Sequence, residues 1–255
     1  MSTKLVAVSL KMYFDHVRTL EWAREVRTRA ASHPKLSDGL IDLVLLPDHA
    51  SLAGVIQIFE GTPVRVGAQD LSWADSGAYT GDVSGVTLRQ VGCTLAEIGH
   101  AERALHHGED SVVAGAKLHA ALRNGLQPLV CVGEAEQGNP VDAADQCLSQ
   151  WDAMWERVPE AERTSRPEAD PVLAYEPVWS IGADAPAPAG HIIGVVNSLR
   201  SSGRLQPGTR IIYGGSAGPK LVPSLASAVD GFFLGRRAHD PDALLAVVDA
   251  LSSSS

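Results

Sequence analysis

The chain has 255 residues, 45% hydrophobic and 20% charged, with a formal net charge of −9. That composition describes a globular protein with a sizeable core, and its length suits one α/β barrel without requiring a second domain. The acidic residues are dispersed and there is no basic stripe, which argues against a nucleic-acid partner and means an anionic ligand needs a local positive site.

The first apolar run, Leu5 to Leu10, is six residues long and is followed directly by Lys11. It predicts a strand, and it is too short for a signal-peptide core or a membrane span. Similar short runs rich in Val, Ile or Leu begin near Asp42, Val64, Leu95, Pro128, Val172, Arg210 and Gly231, giving eight strands in all. None shows clean polar alternation, as expected of strands covered on both faces. Amphipathic stretches separate them. One begins near Ser111 and is stopped by Asn124-Gly125. The last places Ala243, Leu244, Val247, Val248 and Leu251 on one helix face, started by Asp240 and Pro241. The segment Ala183–Ala189 is rich in Pro and Ala and belongs to a long loop after the sixth strand. Eight alternations without a composition break predict one closed (β/α)₈ barrel over residues 1–255, with 252–255 as a frayed tail. An open doubly wound sheet is the competing architecture, but no G-x-G-x-x-G follows the first strand.

Cys93, Cys131 and Cys147 have no C-x-x-C spacing, so neither a disulfide framework nor a zinc site is expected, and a reducing, cytoplasmic setting is. Barrel active sites lie at the C-terminal ends of strands. Those ends carry Lys11, His100 with Glu102, Cys131 with Glu134, Glu176, Gly214-Gly215-Ser216 and Gly235. The glycines after the seventh and eighth strands fit phosphate-binding turns, and fit plain tight βα turns equally well on spacing alone. Lys11 reads either as a cation for phosphate or enolate charge or as a strand-end lysine reaching solvent. His100 reads as an electrophile or as a structural histidine. Glu176 precedes Pro177, which steers it away from helix and aims its carboxylate; the alternative is a strand-end ion pair.

These motifs, in this order, resemble the triosephosphate isomerase family. The resemblance runs from Ser9-Leu10-Lys11-Met12 through Gly99-His100-Ala101-Glu102-Arg103, Cys131-Val132-Gly133-Glu134, Ala174-Tyr175-Glu176-Pro177-Val178-Trp179 and Tyr213-Gly214-Gly215-Ser216 to Gly231–Gly235. It implies a TIM barrel in which Glu176 moves the proton beside a carbonyl. It also implies that neutral His100 polarises that carbonyl, Lys11 binds phosphate and enediolate charge, and Glu102 supports Lys11. Pro177–Ala187 would form a lid whose Gly182 donates a backbone N–H to phosphate, beside Ser216 and Gly235. Gly77–Ser84 resembles the family's dimer loop, implying a homodimer. No cofactor, metal or membrane partner is implied.

Four positions depart from the family pattern. Ser9 stands for the usual Asn, Ala101 for Ser, Ala183-Asp184-Ala185 for the lid tip, and Arg236 for the second glycine after the last strand. Base, electrophile and lysine are all kept while the walls change. That pattern resembles the erythrulose phosphate isomerase branch, whose substrate carries one more hydroxymethyl than dihydroxyacetone phosphate. The expectation is conversion of L-erythrulose 1-phosphate to D-erythrulose 4-phosphate, with Ser9, Ala101 and the lid giving room and Arg236 near phosphate. Triosephosphate isomerase is the alternative reading, and a catalytically silent binding barrel the remote one.

Overall fold

In the computed structural model, which describes residues 3–163, 170–181 and 186–251, eight parallel strands close into a barrel in sequence order. They are β1 (Lys4–Ser9), β2 (Ile41–Leu46), β3 (Arg65–Ala68), β4 (Leu95–Ile98), β5 (Gln127–Val132), β6 (Val172–Tyr175), β7 (Arg210–Tyr213) and β8 (Gly231–Leu234). Each starts within one residue of its predicted position. The helices outside are α1 (His16–Ala30), α2 (Pro34–Ser37), α3 (Leu52–Phe59), α4 (Gly85–Val91) and α5 (Ala101–His107). They continue with α6 (Ser111–Arg123), α7 (Pro140–Trp155), α8 (Ala189–Ser201), α9 (Val222–Leu225) and α10 (Pro241–Leu251). Among the described residues, no helix is long and apolar enough to cross a membrane.

The predicted helix signals act through the expected atoms. Asp240 accepts a hydrogen bond from the Asp242 N–H at 2.9 Å, capping α10 behind Pro241. At the end of α6, Gly125 takes φ +68°, which an L side chain adopts only with strain. Ala189, read from sequence as loop, is instead the first residue of α8, entered from Pro188. Residues 252–255, the predicted tail, and residues 182–185, the predicted lid tip with Gly182, lie outside the described residues.

Strand alternation divides the apolar residues into two cores. Outward positions such as Val6, Val8, Leu43, Leu45, Ile98 and Val130 meet the helices. Inward ones, among them Leu5, Ala7, Leu46, Leu95, Leu129, Ala174 and Phe233, fill the barrel. The N-terminal end of the barrel is closed by charge. Arg65 donates to Asp42 at 2.8 and 2.6 Å and to Gln127 at 3.1 Å, while Arg210 reaches both from 3.4 Å. Followed towards the C-terminal end, the inward rows lead to Ser9, Glu97, Glu176, Gly214 and Gly235, so the same period of two that fills the core delivers the polar groups.

Closure between β1 and β8 depends on Gly231, where a Cβ would sit 1.8 Å from the Leu5 carbonyl oxygen. Gly231→Ala is therefore expected to lower stability by about 3 kcal/mol in urea unfolding, since the backbone at a closing seam has little room to relax.

Candidate active site

Lys11 after β1, His100 after β4 and Glu176 after β6 converge on one cavity of about 500 Å³. The Lys11 ammonium donates to Glu102 Oε1 at 2.6 Å. His100 Nε2 stands 3.3 Å from Glu176 Oε2. Ser9, Ser216, Gly235 and Arg236 line the same cavity.

The neighbours of Glu176 are shaped around it. Its N–H bonds the Val132 carbonyl at 2.8 Å, continuing the β5–β6 ladder one residue past the strand. A Cβ at Gly133 would lie 1.8 Å from the Glu176 carbonyl oxygen, and one at Gly214 only 2.3 Å from its Cγ. Both glycines are thus vacant space for the base. Gly214 also donates its N–H to Tyr175 O at 2.8 Å, so that N–H is engaged in the sheet and is not free for the phosphate-turn role read for it from the sequence.

His100 caps α5, its Nδ1 accepting the Glu102 N–H at 3.1 Å. A backbone N–H can only donate, so Nδ1 carries no proton and Nε2 presents its N–H towards Glu176 and the cavity. Lys11 has φ +50°, the only non-glycine residue with positive φ among those described. That conformation costs on the order of 1–2 kcal/mol. Gln69 holds it, donating to the Lys11 carbonyl at 3.1 Å and to the Leu46 carbonyl at 2.9 Å. Nothing in the sequence singled out Gln69; its role exists only once β1 and β2 stand side by side.

Burial sets the charges. It pushes the Glu176 carboxyl up to about 8, with Lys11 opposing and Glu102 adding to the rise. Burial also drives His100 down to about 4, helped by the positive charge of Lys11. The imidazole is therefore neutral across the physiological range. For Lys11, burial pulls downward but the Glu102 hydrogen bond and nearby carboxylates outweigh it, leaving the ammonium more firmly protonated than usual. Glu102 is lowered overall, its burial outweighed by the Lys11 hydrogen bond.

Other residues singled out in the sequence separate into groups. Arg236 sits at the mouth with its guanidinium 5.6 Å from the Tyr13 ring centroid. Glu134 is fully buried away from the cavity; its Oε1 accepts from Tyr175 Oη at 3.0 Å and Trp179 Nε1 at 2.8 Å, and lies 3.0 Å from His191 Nε2. It anchors the start of the segment after β6 rather than touching a ligand. Ala101 lines a separate, mostly apolar hollow of about 460 Å³ behind Glu176, with Leu105, Met154 and Val178. The room it gives is at the rear of the base. Cys131 faces the barrel interior. Glu97, not singled out from the sequence, also faces inward and is 3% exposed.

The family model for triosephosphate isomerase matches residues 4–251. The chain belongs to the triosephosphate isomerase family. Among curated relatives, L-erythrulose-1-phosphate isomerase of Pectobacterium atrosepticum is 47% identical over 247 residues, covering 96% of this chain and 94% of that one. Triosephosphate isomerase of Mycobacterium sp. strain JLS is 35% identical over 250 residues, covering 92% of each. The crystal structure of triosephosphate isomerase from Bartonella henselae superposes with TM-score 0.79 at 25% identity, over 98% of this chain and 99% of that one. The closed eight-stranded barrel and the motif order are thus family features of this chain.

Nitrogen-15 NMR of labelled histidine checks the electrostatics. His100 is expected to remain the neutral Nε2–H tautomer at neutral pH, gaining charge only as pH falls towards about 4.

Proposed function

We propose that the protein isomerises a small phosphorylated ketose through a cis-enediol, and that its reaction is L-erythrulose 1-phosphate to D-erythrulose 4-phosphate. The observation that carries the chemistry is the pairing of a buried carboxylate with a neutral imidazole N–H 3.3 Å away, beside a lysine. Ionised Glu176 removes the proton from the carbon next to the carbonyl. The electron pair becomes the enediol double bond, and the carbonyl oxygen takes the developing negative charge, met by the His100 Nε2–H and the Lys11 ammonium. Glu176 then returns the proton to the former carbonyl carbon while a hydroxyl proton is exchanged between the two oxygens. No group is lost, so no cofactor enters the balance.

The phosphate is assigned to the β7–β8 side, with Gly215, Ser216 and Gly235 lining the cavity there and Arg236 adding a guanidinium at the mouth. The segment from Pro177 is assigned as a lid, with Gly182 as a further phosphate donor. Its described start is fixed by the Val178 N–H on the Glu134 carbonyl at 3.0 Å and by the Trp179 indole on the Glu134 carboxylate. A lid would keep water from an enediol phosphate, which otherwise eliminates phosphate. The tetrulose substrate is supported by the 47% identity to an L-erythrulose-1-phosphate isomerase, against 35% for a triosephosphate isomerase. Triosephosphate isomerisation is the second reading, since the same base, electrophile and lysine serve it.

The test is kcat/KM for L-erythrulose 1-phosphate and for dihydroxyacetone phosphate on one preparation. A clear preference for the tetrulose is expected, and a large preference for the triose rejects the assignment. Because free Glu176 must be ionised, kcat/KM should rise with pH up to about 8 and level off above it, and Glu176→Gln should cost on the order of 1000-fold or more.

A homodimer in the cytoplasm completes the proposal. The loop Gly77–Ser84 presents Tyr79, edge-on to Trp73 at 5.9 Å, and both rings are partly exposed. Met12, beside Lys11, is 92% exposed and offers a large apolar side chain to a second chain. Sedimentation is expected to give a dimer, shifted towards monomer by Tyr79→Glu.

A further inference from the structure

A phosphorylated ligand has to enter a chain of net charge −9, and the catalytic groups supply little positive charge to meet it. Lys11 is tied to Glu102, so that pair is neutral as a unit. Ionised Glu176 then leaves the interior negative. The groups lining the cavity that reverse this are Arg236 and Arg237, the two residues after Gly235. Both are exposed, and neither guanidinium forms an ion pair or hydrogen bond with a described residue. Arg24 and Arg157 are unpaired as well, so a free guanidinium alone identifies nothing. What distinguishes Arg236 and Arg237 is that they line the active-site cavity, and that they leave β8 towards different neighbours.

The turn that carries them is pinned. Ala238 is fully buried, its N–H bonds the Gly235 carbonyl at 2.9 Å, and its carbonyl accepts the Trp22 indole at 3.2 Å. In the closed barrel β8 stands between β1 and β7. Arg236 goes to the β1 side, where its guanidinium meets the Tyr13 ring. Arg237 goes to the β7 side. Its Cδ and one guanidinium nitrogen lie 3.6 Å from the point where a Cβ on Gly218 would stand. Gly218 belongs to the loop after β7 that also carries Gly215 and Ser216, on the side assigned to phosphate. We propose that Arg237 is a phosphate-binding residue, its guanidinium donating to the phosphate oxygens beside Ser216, while Arg236 keeps to Tyr13 at the mouth. A planar fork of N–H donors suits a phosphate dianion, and packing against the Gly218 loop holds that fork on the ligand's side. The inference rests on the sugar-phosphate reading of the preceding section, but not on whether the sugar has three carbons or four.

Inorganic phosphate is the probe, titrated calorimetrically at fixed ionic strength into wild type, Arg237→Gln, Arg237→Lys and Arg236→Gln. Arg237→Gln is expected to weaken phosphate binding about tenfold, the scale of one charge-assisted contact at a solvent-exposed site. Arg237→Lys should recover part of that loss, since it keeps the charge without the fork. Arg236→Gln should cost less, about threefold, by lowering the potential from a distance. In turnover, Arg237→Gln is expected to raise KM by a factor similar to its loss of phosphate affinity, with kcat within about threefold of wild type. Unchanged phosphate affinity in Arg237→Gln overturns the proposal, as does an equal or larger loss in Arg236→Gln. A fall in kcat with KM unchanged also overturns it, because Arg237 would then act on the chemistry and not on binding. If the wild type isomerises neither ketose phosphate, the functional reading fails by itself, and the phosphate titration still decides for or against Arg237.

Discussion

The site depends on keeping water away from one carboxylate. In water, Glu176 would be a weak base; enclosed between β5 and β7 it becomes a much stronger one, because the ionised form has lost its hydration. The enclosure is built from missing atoms. Gly133 and Gly214 carry no side chains, and the side chain of Glu176 and its backbone occupy that space. The same dry environment lowers His100, so the group facing the base has no positive charge that would quench it. Burial therefore sets two opposite shifts at once: a stronger carboxylate base and an uncharged imidazole donor.

Such a site must stand on something rigid, and the barrel supplies this at its other end. Asp42, Arg65, Gln127 and Arg210 close the N-terminal opening with mutually satisfied hydrogen bonds, and above them the inward Leu, Val and Phe side chains fill the interior. Among the described residues, the one non-glycine backbone strained by a positive φ lies at the top. Lys11 keeps φ +50° because Gln69, the residue after β3, fixes its carbonyl, which aims the ammonium at Glu102 and the cavity. Stability is drawn from the base and the walls, and the strained, charged groups are confined to the open rim.

Much of this was legible in the sequence, for a physical reason. Strands buried on both faces must be apolar runs, so all eight appear as such, and a polar residue at the end of a run points to the rim. Lys11, His100 and Glu176 were visible in that way. What was hidden is relational. Gln69 matters through one carbonyl just beyond β1 and one on β2, and no local pattern encodes that. Gly214 looked like a phosphate turn, but its distinctive property is the absence of an atom beside Glu176. Glu134 ends a strand like a catalytic residue, yet it is drawn into a buried cluster with Tyr175, Trp179 and His191. Glu97 left a faint signal as a lone acid inside an apolar strand, but only the direction of the β4 pleat separates an inward carboxyl from a surface one.

Charge balance explains why an additional acid can exist there at all. The site already holds Glu176 and Glu102 around a single lysine, and it must admit a phosphate that is itself anionic. A third carboxylate beside them would repel the ligand and oppose ionisation of the base. Glu97 avoids this by being the most deeply buried of the three: burial and the neighbouring Glu176 carboxylate outweigh the opposing Lys11 and Ser9, so its neutral form is favoured. Arg236 adds positive charge at the mouth, where the Tyr13 ring supports it without neutralising it. A buried acid whose neutral form is favoured, one lysine on Glu102 and a guanidinium at the cavity mouth each stand where their charge is compatible with an ionised Glu176.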